Sequence, residues 1–227
     1  MRVVHAGGVE GARAASGTVV VIDVLRAFTV SAYALAGGAR ECRLVGEVWE
    51  AEALAGRLPG AVVSAEVDGL PVPGIEISNS PTMVFDADLR GKVLVQRTSS
   101  GTQCMLAAAG ADRLYAGSLV VAAATAAAVR AVEPAVVTLV ASGEDRGHSE
   151  DSACAGYLEG LLCGSPVDLE ELLEPLRASE RYRLFQEGLW PGFPPSDLEL
   201  ALTPDRFGFS MPVRRDELGL RVDRDGM

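Results

Sequence analysis

Residues Thr18–Asp23, TVVVID, form a β-branched apolar run with no polar alternation. A strand with one wet face alternates apolar and polar side chains, so an unbroken run of this kind fits a strand buried on both faces. Burial on both faces requires layers of other elements above and below. Short apolar runs recur at Glu41–Val45, Ala61–Ala65, Lys92–Gln96, Arg113–Ala116 and Ala135–Val140. Between them lie stretches patterned as helices: Phe28–Ala36, Glu47–Leu58, Ser99–Gly110, Ser118–Val132 and Ser149–Cys163. Gly37-Gly38, Pro59-Gly60 and Gly164 supply helix stops. This alternation predicts an α/β fold with a mostly parallel sheet covered by helices on both faces. Beyond residue 168 the pattern changes to short helices at Asp168–Leu173, Ser179–Gly188 and Asp197–Leu202, the last with a capping box from Ser196 and Glu199. Residues 168–227 are expected as a helical C-terminal cover of a single domain spanning 1–227.

Charge narrows the class of partner. The net charge is −11, and Lys92 is the only lysine among 20 cationic residues. A global acidic excess argues against nucleic acid as a partner, because phosphate backbones need a cationic face. It leaves room for a small anionic ligand in a locally positive pocket, with any anion clamp built from arginine or backbone N–H groups. The start, MRVVHAGG, lacks a cationic segment followed by an apolar one, and the alanine-rich run from Leu119 is closed by Arg130 before it could span a bilayer. A cytoplasmic protein with no membrane partner and reduced thiols at Cys42, Cys104, Cys154 and Cys163 is expected. The alanine-rich stretch Ala122–Ala128 suits close helix packing within the domain and a homo-oligomer interface equally well.

Ligands in doubly wound sheets bind beyond the carboxyl ends of the strands. Three polar clusters fall there. Asp23-Val24-Leu25-Arg26 ends the strand TVVVID: the acid could hold a metal and the arginine an anion, or the acid could cap the next helix and the arginine face solvent. Arg97-Thr98-Ser99-Ser100-Gly101-Thr102 follows KVLVQ. Four hydroxyls around one glycine exceed what an ordinary cap needs and suit an oxyanion cradle. No GK[ST] follows, so this is not a Walker loop. Gly143 to Asp151 follows AVVTLV and carries Glu144, Asp145, Glu150 and Asp151. First-turn acids are favoured by the helix dipole in any case, but four carboxylates in eight residues suggest a hard-cation site, Mg²⁺ rather than zinc. His148 is read as structural rather than as an essential base, and Asn79-Ser80-Pro81 taken alone as a turn.

Together and in this order, VIDVLRAFTV, PGIEISNSP, QRTSSGTQ, AGSLVVAAATAAAV and GEDRGHSEDSACAGYLEGLL resemble the 2-phosphosulfolactate phosphatase family, and SDLELALTPD with Met211-Pro212-Val213 resembles its ending. The resemblance implies a family-specific α/β fold and Mg²⁺-dependent hydrolysis of a small anionic phosphoester, 2-phospho-3-sulfolactate, a step that in archaea serves coenzyme M synthesis. It implies catalytic roles for Asp23, Arg26 and Asp151, with metal held by Asp23, Glu150 and Asp151. Substrate or phosphate contacts would come from Asn79, Ser80, Thr98, Ser99, Ser100, Gly101 and Thr102. Two positions depart from the family pattern: Ser100 stands for the usual Asn before glycine, and Ala65-Glu66-Val67 for the usual Gly-Glu-Arg. A phosphatase of a different 2-phospho acid, a non-catalytic small-anion-binding protein and a nucleotide-dependent transferase are the alternatives. The Asp-x-Asp of haloacid-dehalogenase-type phosphatases is not met, since Leu25 stands two residues after Asp23.

Overall fold

β2 (Thr18–Ile22) is buried at every residue and divides its side chains between two cores. Val19 and Val21 join one with Phe28, Leu35 and Met105; Val20 and Ile22 join the other with Leu119, Leu139 and Leu158. Successive strand residues point to opposite faces, so the unbroken apolar run is what a central strand with helices on both sides needs. The structure, a computed structural model, describes residues 1–226; Met227, the last residue of the expected domain, lies outside them.

Ten strands make one sheet: β1 (Arg2–Gly7), β2, β3 (Glu41–Leu44), β4 (Val62–Val67), β5 (Leu70–Pro71), β6 (Val93–Arg97), β7 (Arg113–Gly117), β8 (Val136–Ala141), β9 (Pro212–Asp216) and β10 (Gly219–Val222), in the order β1-β8-β2-β7-β9-β10-β3-β6-β4-β5. β1, β8, β2 and β7 are mutually parallel, as are β3, β6 and β4. The antiparallel hairpin β9–β10 stands between these groups, pairing Leu114 with Val213 on one side and Leu220 with Leu44 on the other. Three successive antiparallel pairings mean that the two parallel groups run in opposite senses.

The helices are α1 (Gly8–Ala14), α2 (Ala27–Ala36), α3 (Val48–Arg57), α4 (Pro81–Asp86), α5 (Gly101–Ala107), α6 (Ala122–Ala131), α7 (Ser149–Cys163), α8 (Leu169–Arg177), α9 (Glu180–Gln186) and α10 (Ser196–Leu202). The α/β expectation is met, including the three C-terminal helices. The pattern does not mark β1, α1, β5 or α4, and residues after α10 supply two strands to the middle of the sheet rather than more helix. Short, charged β9 (PVRRD) carries no apolar periodicity; its pairing comes from the open edges of β7 and β3. The expected Ser196–Glu199 capping box is absent: Ser196 lies inside the first turn, after N-cap Pro195, and its hydroxyl bonds that of Thr82 at 2.8 Å. Among the described residues no helix is long and apolar enough to cross a membrane.

Candidate active site

The loops after β2, β4, β6 and β8 converge on one cleft of about 560 Å³, closed on its far side by α9 and the loop that follows it. That volume lies in the range of small-molecule sites. Asp23, Arg26, Glu66, Asn79, Ser99, Ser100, Arg146, His148 and Arg181 supply polar lining, and Leu25, Leu184, Phe185, Trp190 and Phe193 an apolar wall.

Asp23 ends β2 and is 5% exposed. Its Oδ1 accepts the Ala27 N–H at 2.9 Å, which caps the start of α2, while Oδ2 accepts only the Ser142 hydroxyl, at 3.2 Å. Both readings of the sequence therefore hold for this one residue: one oxygen caps, and the other turns to the site. Burial, with the charges of Glu66 and Glu150 adding to it, pushes its pKa up to about 6 against the two hydrogen bonds. Asp151, in the first turn of α7, accepts from Val24 N at 2.8 Å on Oδ1 and from Gly143 N at 2.9 Å on Oδ2. It thus pins the loops after β2 and β8 to each other. Burial and the neighbouring Asp23 and Glu150 raise its pKa well above the usual carboxylate value. The Ser142 hydroxyl lies 3.2 Å from both Asp23 Oδ2 and Asp151 Oδ2. One hydroxyl carries one proton, so it donates to one carboxyl and accepts from the other only if that one is protonated. The raised pKa values fit such a shared proton.

Glu150 is fully buried. Arg181 of α9 donates to its Oε1 at 2.5 Å, and its Oε2 has no hydrogen-bond partner. A buried carboxylate oxygen left unpaired costs free energy on the order of 1–3 kcal/mol or more, which a cation would offset. Glu144 and Asp145 do not join this group. They are exposed and lie against Gly7 and Gly8, where a Cβ on either glycine would run into them. The expected cluster of four acids is thus split by the turn at Gly147, whose φ of +75° reverses the chain. Among the described residues no three His, Cys, Asp or Glu side chains form a ready-made metal cage.

Arg26 does not face solvent, as the second reading of its cluster would have it. It is 4% exposed, stacks over the Phe193 ring at 4.3 Å, and donates through NH1 to Gly192 O at 2.6 Å and to Asp197 Oδ2 at 3.0 Å. Its Nε and NH2 make no hydrogen bond among the described residues and remain available toward the cleft.

The second polar cluster is more self-contained than its hydroxyl count implied. Thr98 and Thr102 cap each other: Thr98 N–H donates to Thr102 Oγ1 at 2.8 Å, and Thr102 N–H to Thr98 Oγ1 at 3.0 Å. Glu66 Oε1 takes the Ser99 N–H at 2.5 Å, and its Oε2 takes Gly69 N at 2.6 Å. Ser80 caps α4 and donates to Asp197 Oδ1 at 2.8 Å. The hydroxyls of Ser80, Thr98 and Thr102, expected to contact substrate, are engaged locally, and these residues do not line the cleft. Ser99, Ser100 and Asn79 do line it, Asn79 being held by Gln96 Nε2 at 3.3 Å. The N–H groups of Ser100 and Gly101 have no partner among the described residues. Gly101 is required there, since a Cβ would lie 2.6 Å from Asp23 Oδ2 and 2.7 Å from the Ala27 Cβ. This close approach brings the loop after β6 against the loop after β2.

His148 lines the cleft, and its pKa is pushed down to about 3 by burial and by Arg181 and Arg146, so it stays neutral near pH 7. The other histidine, His5, bonds Glu159 at 2.9 Å away from the site. Sequence reasoning missed Ser142, Arg146, Arg181, Asp197 and the aromatic wall. Of these, only the wall left a signal: Trp190 and Phe193 in LWPGFPP are large aromatics in a segment too rich in Pro and Gly to be core helix. A second groove of about 600 Å³ beside exposed Trp49 lacks buried polar groups, and its Glu50 is taken up capping α3.

A family model described as 2-phosphosulpholactate phosphatase matches residues 7–183. The chain belongs to the 2-phosphosulfolactate phosphatase family. A relative from Bacillus subtilis, named "Probable 2-phosphosulfolactate phosphatase", is 33% identical over 203 residues, 87% of each chain. One of the same name from Carboxydothermus hydrogenoformans is 41% identical over 145 residues, covering 63% of this chain and 60% of its own. A third, from Thermosynechococcus vestitus, is 33% identical over 177 residues, 75% of this chain and 72% of its own. Of the residues lining the cleft, the family match takes in Asp23, Arg26, Glu66, Arg146 and Arg181, and it also takes in Glu150 and Asp151 behind them, while Trp190, Phe193 and the Arg26 partner Asp197 lie past its end.

Proposed function

We propose that this cleft hydrolyses a small phosphomonoester carrying further acid groups, 2-phospho-3-sulfolactate in the family's reaction, to sulfolactate and phosphate with Mg²⁺ bound. One observation carries the reading: a buried carboxylate and three arginines line one cleft, beside the Ser100 and Gly101 N–H groups, which have no partner among the described residues. Such an ester is slow to react because charge spreads over the transferring phosphoryl group, and fixed donors aimed at that charge lower the barrier. The N–H groups of Ser100 and Gly101 and the free edge of Arg26 are those donors here. Arg146 and Arg181 hold the remaining acid groups, and the wall of Phe185, Trp190 and Phe193 keeps bulk water out. Asp23 presents Oδ2 to the phosphoryl site, while Asp151 keeps the loops around it in register.

The donors present suit Mg²⁺. Glu150 Oε2 is buried without a partner, and Asp23 Oδ2 is engaged only by a hydroxyl. Mg²⁺ is commonly held by one or two carboxylates with waters and substrate oxygens completing the shell, so no three-residue cage is needed. Asp23 and Glu150 would hold it, and when bound it supplies positive charge beside the phosphoryl oxygens.

The test is phosphate release from phosphosulfolactate, phospholactate and phosphoglycerates, with Mg²⁺ and with chelator. Release that needs Mg²⁺ and is strongest with phosphosulfolactate is expected. Preference for another 2-phospho acid would replace the substrate and keep the chemistry; Val67, where the family usually has arginine, is the reason to include those esters. No release from any of them would leave a non-catalytic anion-binding protein.

A further inference from the structure

Asp197 is fully buried on α10, and its carboxylate ties three separate segments together. Oδ2 accepts Arg26 NH1 at 3.0 Å. Oδ1 accepts the Ser80 hydroxyl at 2.8 Å and the Thr82 N–H at 3.0 Å. We propose that Asp197 is the positioning residue of the cleft, fixing the Arg26 guanidinium and the Asn79-Ser80-Pro81 loop in the arrangement that receives the phosphoryl group.

A guanidinium has five N–H donors in a rigid planar fork, and its direction is set by whatever holds one end. Here NH1 is held from two sides, by Asp197 and by Gly192 O, and the guanidinium carbon lies 4.3 Å from the Phe193 ring centroid. Nε and NH2 are the donors left over, and Arg26 lines the cleft together with Asp23. The same carboxylate fixes Ser80 through its other oxygen, and Asn79, the preceding residue, lines the cleft. Asp197 touches no substrate position itself and acts through these neighbours. Its negative charge also keeps a cation tolerable at a site where burial works against it. An asparagine would keep the shape but exchange one acceptor for an NH₂ donor. Each oxygen of Asp197 already faces N–H or O–H donors, so either orientation of the amide sets donor against donor.

This inference rests on the phosphatase reading, and the experiment separates the two. Wild type, Asp197→Asn, Arg26→Ala and the double variant are compared for phosphate release and, separately, for binding of inorganic phosphate by calorimetry. Misplacement of a positioned group by about 1 Å costs on the order of 100-fold in rate. Asp197→Asn is expected to lower kcat about that much with KM changed only a few-fold, and to have a much smaller effect once Arg26 is alanine, the remainder acting through the Ser80 loop. Equal fractional losses in both backgrounds would overturn the proposal and leave Asp197 a general stabilising residue. If wild type releases no phosphate, the phosphatase reading fails and the binding series decides alone. Loss of phosphate affinity in Asp197→Asn that is much smaller in the Arg26→Ala background supports the positioning role. Four indistinguishable isotherms overturn it. Should Asp197→Asn not fold, as judged by its melting transition, Asp197→Glu enters the same cycle; it keeps the charge but displaces the Arg26 contact by one methylene.

Discussion

The loops that leave β2 and β8 and those that leave β4 and β6 face each other across one cleft, and they treat their polar groups in opposite ways. On the β4/β6 side almost every donor has an acceptor nearby: Thr98 with Thr102, Ser99 and Gly69 with Glu66, Asn79 with Gln96. On the β2/β8 side three carboxylates are buried together, two have raised pKa values, and one oxygen of Glu150 has no partner. The first side is a finished scaffold that offers backbone N–H groups. The second is left electrostatically incomplete, which is the condition expected where a cation or reacting group belongs. Stability and chemistry are thus divided between the two halves of the sheet.

The largest effect that could break this contrast is at Asp23. Asp23→Asn is expected to lower phosphate release on the order of 10³-fold or more, measured as kcat with Mg²⁺ present. In chelator the same variant should be more stable than wild type above pH 6. The sign follows from linkage: a folded-state pKa of about 6 against an ordinary aspartate value of 3.8 means that the native state holds the proton more tightly. Its stabilising effect is therefore full below pH 3.8, is lost as pH rises to 6, and then stays constant, a difference on the order of 3 kcal/mol. A melting curve of Asp23→Asn at pH 8 no higher than wild type would remove the claim that this half carries unrelieved charge.

Gly101→Ala comes next. A methyl 2.6 Å from Asp23 Oδ2 must push the two loops apart, so about a 100-fold loss of kcat is expected from a residue with no side-chain chemistry. Retention of activity would mean that the two sides need not touch. The pH profile is the third test: with Asp23 required as the carboxylate, kcat/KM at subsaturating Mg²⁺ should fall about tenfold per pH unit below about 6 and level off above it, and saturating Mg²⁺ should move that limb to lower pH. Neutral His148 should add no limb near pH 7, because its pKa lies near 3. The smallest effect belongs to the scaffold. Thr102→Ala should cost on the order of 1–3 kcal/mol of stability, because it leaves the buried Thr98 N–H without its acceptor, with kcat lowered only a few-fold. A loss comparable to that of Asp23→Asn would erase the distinction.

The sequence was most legible where one residue type has one physical use. The β-branched run ending at Asp23 identified a buried strand and the acid at its carboxyl end, and helix α7 was bounded by Ser149 and Gly164 as its composition implied. Hydroxyls misled, because a Thr beside a helix start serves a cap and an anion equally well, and only the fold shows that Thr98 and Thr102 face each other. The acids from Glu144 to Asp151 look equivalent in one dimension, yet the Gly147 turn sends two outward and two inward. Asp197 and Arg181 were illegible for a different reason. Each meets its partner, Arg26 or Glu150, across a wide stretch of chain, and neither sits in a local pattern that marks it.

The hairpin β9–β10 follows every other strand in the chain, yet it stands at the centre of the sheet. A nascent chain that has reached Leu202 therefore carries two half-sheets with raw borders at β7 and β3, joined only through helices such as α5, which packs on both β2 and β3. Such borders are templates for pairing with other chains. Joining the halves also waits on contacts as distant in sequence as Leu44 with Leu220, the kind that closes slowly. A chain stopped before Pro212 should for this reason be recovered as aggregates rather than as a smaller soluble protein. The cleft, whose two sides belong to different halves, is braced from behind by the last strands to leave the ribosome.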